Sequence, residues 1–199
     1  MGNISHLLLE DVLHLSRYLP FLIRINEFET STSKYHPEMP DNCNPKNVKT
    51  HFLIASCLLL RGESLDQQSG GREKARTLFS EAVTAANETL ALHPEHGLTH
   101  VTRGWALKHL GRTEEALMAL RRAVDIQPDF ADAHLYLGET LAEAGRLYEA
   151  LPHLQNSVRF ARPGDARPSE ALARLRAKLN TAPKNEADAF ESQSKKKPL

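Results

Sequence analysis

The sequence predicts an all-α fold of stacked helix-turn-helix units, and three observations carry that expectation. A shift of 34 residues superimposes Gly104 on Gly138, Leu107 on Leu141, Gly111 on Gly145, Ala116 on Ala150 and Leu120 on Leu154. A self-similar period of this length marks a repeat architecture, in which each unit buries its apolar face against its neighbours. Small residues recur along one helical stripe, with Ala123 and Ser157 each seven residues beyond Ala116 and Ala150. Composition agrees, since 199 residues that are 41% hydrophobic and 25% charged suffice for the core of an ordinary domain.

One unit runs from Gly97 to Phe130 and the next from Ala131 to Gly164. Gly104 and Gly138 fall mid-helix, where glycine costs about 1 kcal/mol against alanine. Its occurrence at the same register twice implies close approach of a neighbouring helix. Gly111 and Gly145 end the first helix of each unit, supplying the left-handed cap that residues with a β-carbon resist. Pro128 closes the second helix of the first unit.

These two units resemble successive tetratricopeptide (TPR) motifs. The matching positions are Gly104, Leu107, Gly111, Ala116, Leu120, Ala123 and Pro128, then Leu137, Gly138, Leu141, Gly145, Ala150 and Leu154. Departures are His100 and His134, where the family usually has an aromatic residue, and Arg103, where it has a large apolar one. In the second unit Arg162 takes the place of the terminal proline, with Pro163 one residue late. The resemblance implies a TPR-type helix-turn-helix solenoid that binds other proteins and does not catalyse a reaction.

An irregular unit over residues 49–96 precedes the regular ones. Gly70 and Gly71, followed by Glu73, Ala75, Phe79 and Ala82, repeat the order of a second TPR helix, and the apolar run from Phe52 to Leu60 reads as its first helix. Seven more residues separate Ala82 from Pro94 than separate Ala123 from Pro128, so the helix through Thr84, Glu88 and Leu92 is expected to be about two turns overlong. The stretch from Arg61 to Gly71 reads as a long connection. After the second regular unit, residues 168–180 read as a capping helix, with Ser169 at its N-cap and Leu172, Leu175 and Leu179 at helical spacing.

Residues 1–30 read as an N-terminal helical segment. Ser5 caps a helix with Leu8, Val12, Leu15 and Leu19 on one stripe, and Phe21, Leu22, Ile23, Ile25 and Phe28 extend its apolar character beyond Pro20. Residues 31–48 turn to Ser, Thr, Asn and Pro and read as a linker or loop, and residues 181–199 read as a polar, disordered tail ending in Lys195, Lys196 and Lys197. No apolar stretch has the roughly 20 residues of a membrane span, and neither a signal peptide nor a complete myristoylation motif follows Met1. A cytoplasmic location is the expectation, with Cys43 and Cys57 too few and too irregular for a disulfide framework or zinc site.

Lys plus Arg and Asp plus Glu number 25 each, which leaves no global field for nucleic acid, and no basic stripe with interleaved aromatics is present. His93, His96 and His100 fall at spacings that could hold a metal, yet no cysteine or carboxylate cluster completes the set. His100 and His134 occupy equivalent repeat positions, so packing in place of an aromatic explains both. Phosphate-binding glycine loops and nucleophile elbows are missing from the sequence, and neither catalytic residues nor a cofactor or metal is expected.

Function is therefore sought on the inner face that the resemblance implies, at the second, fifth, ninth, twelfth and thirteenth positions of each first helix. These are Leu98, Val101, Trp105, Lys108 and His109, then Asp132, Leu135, Glu139, Ala142 and Glu143. Leu98, Val101, Trp105 and Leu135 form an apolar stripe around one tryptophan, an anchor suited to an apolar or amphipathic peptide. Asp132, Glu139 and Glu143 add an acidic rim that favours a partner with basic flanks. Val101, Trp105, Leu135 and Glu139 do not match the Lys, Asn and Arg set of units that hold chaperone tails. The expectation is a non-catalytic adaptor or assembly factor; the alternative is a self-associating scaffold in which the N-terminal segment docks on another copy.

Overall fold

The computed structural model describes residues 48–68 and 70–181, all of whose regular structure is α-helical. The expected N-terminal segment, most of the linker and the tail lie outside the described residues. Seven helices follow one another: α1 Val48–Asp66, α2 Arg72–Leu92, α3 Gly97–His109, α4 Thr113–Ile126, α5 Ala131–Glu143, α6 Leu147–Phe160 and α7 Arg167–Thr181. They pack as TPR-type helix pairs, and the chain divides into two compact units at Ile126 and Gln127.

In the first unit α1 packs on α2, α2 on α3 and α3 on α4. Leu58, Leu59, Phe79, Val83 and Leu107 share one core with Ala75, Ala82, Ala106 and Ala116. The small residues set the helix spacing. A β-carbon on Gly104 would lie 2.6 Å from Leu120 Cγ and 3.2 Å from the Ala116 carbonyl oxygen, so only glycine leaves α4 its seat. The turns between paired helices are equally specific, since Gly111 has φ of 77° and Arg112 N–H closes on the Leu107 carbonyl at 2.9 Å.

Helix α1 corrects the expected long connection from Arg61 to Gly71. The helix runs on to Asp66 and α2 begins at Arg72, so the connection is short. Gly62, within that stretch, is a packing glycine: a β-carbon there would meet the Phe79 ring at 2.6 Å. It is to Phe79 what Gly104 is to Leu120. Helix α2 spans 21 residues, matching the overlong helix that the position of Pro94 implies.

The second unit packs α5 against α6 and α6 against α7. Leu137, Leu141, Leu154 and Leu175 are its large buried side chains. Gly138 repeats the relation of Gly104, with Leu154 Cγ at 2.6 Å from the hypothetical β-carbon, and Ser157 adds a hydrogen bond of 2.9 Å from its hydroxyl to the Ala131 carbonyl. Ser169 is not the cap of α7, because the helix begins two residues earlier. Asp165 caps instead, its Oδ1 accepting from the Arg167 amide at 3.1 Å, and Pro168 sits in the first turn where no N–H is needed.

Candidate functional site

Trp105 sits on α3 at the edge of the first unit's core, half-buried, where three neighbours frame it. Its indole Nε1–H donates to Glu63 Oε1 on α1. Lys108 places its ammonium 4.1 Å from the ring centroid, a cation over the π face. His109 meets the indole edge-on, with centroids 5.3 Å apart, and stacks on Phe79 at 4.4 Å. Glu63 Oε1 also lies 3.6 Å from His109 Nε2, too far for a hydrogen bond. The indole is thus fixed in orientation with part of its surface left to solvent.

The other α3 positions differ in what they offer. Leu98 is half-buried, whereas Val101 is 1% exposed and belongs to the interior as the structure stands. On α5, Leu135 is 2% exposed. Asp132 and Glu139 are already paired within the second unit. Arg167 contacts Asp132 Oδ1 at 2.9 Å and both Asp165 oxygens, and Arg174 contacts Glu139 Oε1 at 2.8 Å. Burial raises the pKa of Asp132 despite the nearby Arg167, while the Arg167 hydrogen bonds lower that of Asp165. The carboxylates at these two positions are thus offset by arginines of α7. Ala142 is half-buried and Glu143 exposed on the last turn of α5.

Glu63 is the residue that sequence reasoning missed, because it lay in the stretch read as a connection. The signal was there: Gly62 precedes Phe79 by 17 residues, nearly the 16 that separate Gly104 from Leu120.

The histidines serve packing and capping. His100 is 9% exposed, and its Nε2–H donates to the Pro94 carbonyl at 2.8 Å; His134 does the same to the Pro128 carbonyl at 2.9 Å. Both pairs are 34 residues apart, so the polar contact is itself part of the repeat. Because Nε2 carries the proton, His134 Nδ1 accepts from His153 Nδ1 at 3.1 Å. His96 caps α3, with Nδ1 accepting from the Thr99 amide at 3.3 Å. Desolvation lowers the pKa of His96 and of His100. Among the described residues, no three His, Cys, Asp or Glu side chains converge as a metal site. Cys57 is buried, which pushes its thiol up to about 11.

Comparison with known proteins agrees with the repeat geometry. A tetratricopeptide repeat family model matches residues 53–129, and a TPR repeat model matches residues 104–157. This chain belongs to the tetratricopeptide repeat family. No curated protein sequence matches it. Among solved structures, MamA 41-end from Desulfovibrio magneticus RS-1 has a TM-score of 0.59 at 18% identity, covering 96% of this chain and 94% of its own. A thermophilic TPR protein of Thermus thermophilus has a TM-score of 0.57 at 20% identity, covering 66% and 65%. The second TPR domain of human RPAP3, solved in complex with an HSP70 peptide, has a TM-score of 0.50 at 15% identity, covering 65% and 98%. Such likenesses show the fold. No helix among the described residues is long and apolar enough to cross a membrane.

Proposed function

We propose that this chain is a non-catalytic adaptor or assembly factor that captures a peptide or amphipathic helix, with the Trp105 face of α3 as its anchor point. TPR repeat proteins are typically binding modules of this kind. The observation that carries the reading is the framed indole: Glu63 and His109 hold it on one side, Lys108 covers part of its face, and the ring remains half-buried. A large aromatic that is held rigid loses little entropy on binding, which is the property of a hot spot.

Several solved neighbours hold chaperone peptides, among them domains of human RPAP3 and yeast Sti1. The chemistry at Trp105 favours a different ligand here. Val101 and Trp105 take the places where a carboxylate clamp needs polar or basic side chains, and the anchor is apolar with Lys108 beside it. The ligand class is an apolar or aromatic side chain on an extended or helical peptide. Leu98, two turns before Trp105 and half-buried, extends the apolar surface on α3, whereas Val101 is buried.

Peptide display against the full chain, read out by the fluorescence of its single tryptophan, tests this reading. Selected peptides should shift or quench Trp105 emission in a saturable way. Tight binders that leave the emission unchanged would place the binding surface elsewhere.

A further inference from the structure

The second unit ends on an incomplete pair. Continuing the 34-residue register, Leu175 of α7 aligns with Leu141 and Leu107, and Leu172 aligns with Gly138 and Gly104. Helix α7 thus falls in the register of a first helix, with Leu172 in place of the glycine, and no further helix follows it among the described residues. Beside it lies an open groove of about 640 Å³, lined by Val158 of α6 and by Leu172, Ala173, Arg176 and Ala177 of α7. Ala173 and Ala177 are exposed and one helical turn apart, which lets another helix approach closely.

Three occupants can be compared. The chain that follows Thr181 fails in register, because Lys184, Asp188 and Glu191 fall where the earlier units place Ala116, Leu120 and Ala123. Charged side chains at these three positions leave that stretch without an apolar face to lay in the groove. Two α7 faces set against each other would bring Arg176 toward its own copy, with no acidic residue lining the groove to offset it. Residues 5–28 have what both lack. Leu8, Val12, Leu15 and Leu19 provide an apolar stripe, and residues 1–30 carry Glu10, Asp11, Glu27 and Glu29 against Arg17 and Arg24. In the helical register that the sequence predicts, Asp11 flanks the stripe and Arg17 lies opposite it.

We propose that the α6–α7 groove receives the N-terminal apolar segment, residues 5–28, of a second copy of this chain, with Asp11 of that copy set against Arg176. The contact is independent of the Trp105 site. Reciprocal exchange between two copies closes the assembly as a dimer, whereas one-way exchange extends it.

A photo-crosslinking residue at position 177 of the full chain, analysed by mass spectrometry of the two-chain adduct, tests the proposal. Attachment within residues 5–28 of another copy is the expected result. Adducts confined to a single chain, attachment to residues 182–199, or absence of a two-chain species would overturn it. Arg176→Glu, an exposed substitution, should lower the two-chain yield at least tenfold, and adding Asp11→Lys to the same chain should restore it. A yield that Arg176→Glu leaves unchanged, or a loss that Asp11→Lys does not repair, would also contradict the assignment.

Discussion

Gly104 and Leu120 are in such close contact that a β-carbon on the glycine would lie 2.6 Å from Leu120 Cγ. Gly138 and Leu154 repeat the relation one period later, and Gly62 stands against Phe79 at the same distance in the irregular pair. In each pair a glycine on the first helix seats a large side chain of the second. Gly104→Ala should therefore destabilise the first unit by about 1–3 kcal/mol, although alanine is the better helix former by about 1 kcal/mol. Chemical denaturation measures the loss. Combining the substitution with Leu120→Val should cost less than the sum of the two single changes, because the valine gives back part of the space.

Acid should weaken the first unit in a way traceable to His100. Its Nε2–H is committed to the Pro94 carbonyl, and its Nδ1 is buried without a partner. Protonation would put a second N–H where nothing accepts it, which is consistent with the lowering of its pKa below the usual 6.5. The unfolded chain then binds more protons than the folded one between the two values. The stability is complete above about pH 6.5 and is lost as pH falls through the folded value. His100→Gln keeps a donor for Pro94 and cannot titrate, so its denaturation midpoints between pH 7 and 5 should follow a shallower slope than those of the wild type.

Arg167 ties the start of α7 to α5 by reaching Asp132 and Asp165 together. Arg167→Ala should destabilise the second unit by about 1–3 kcal/mol, since it leaves Asp132 poorly exposed and without its cation. Hydrogen exchange should show α7 amides opening first. Arg174→Ala, whose side chain is 64% exposed, should cost well under 1 kcal/mol.

Glu63 should control the indole. Glu63→Ala removes the acceptor of the Trp105 N–H, so the tryptophan emission should move to longer wavelength as the ring gains solvent. Glu63→Gln retains a side-chain oxygen acceptor and should leave the emission near that of the wild type.

The parts of this fold legible in sequence are those where one residue type is sterically required. Gly104, Gly111, Gly138 and Gly145 recur at a fixed period because no side chain fits or because φ is positive. Gly62 obeys the same rule yet falls in the stretch that reads as a connection, since its unit is stretched and Phe79 replaces the leucine seen at Leu120 and Leu154. Glu63 was lost with it. Ser169 has the chemistry of a cap, but Asp165 precedes it and captures the helix start. At the candidate site, the positions on α3 and α5 came with the family resemblance, which does not show that Val101 and Leu135 are buried. The pairing of Asp132 with Arg167 and of Glu139 with Arg174 was not legible either, because each depends on a contact 35 residues away.

Calorimetric titration of a display-selected peptide into the wild type, Trp105→Leu and the surface control Met118→Ala tests the binding claim most directly. Met118 is 62% exposed on α4 and should not matter. The account predicts at least a tenfold weaker affinity for Trp105→Leu, about 1.4 kcal/mol or more, with Met118→Ala unchanged. Equal affinity for all three proteins, with circular dichroism showing each folded, would contradict it.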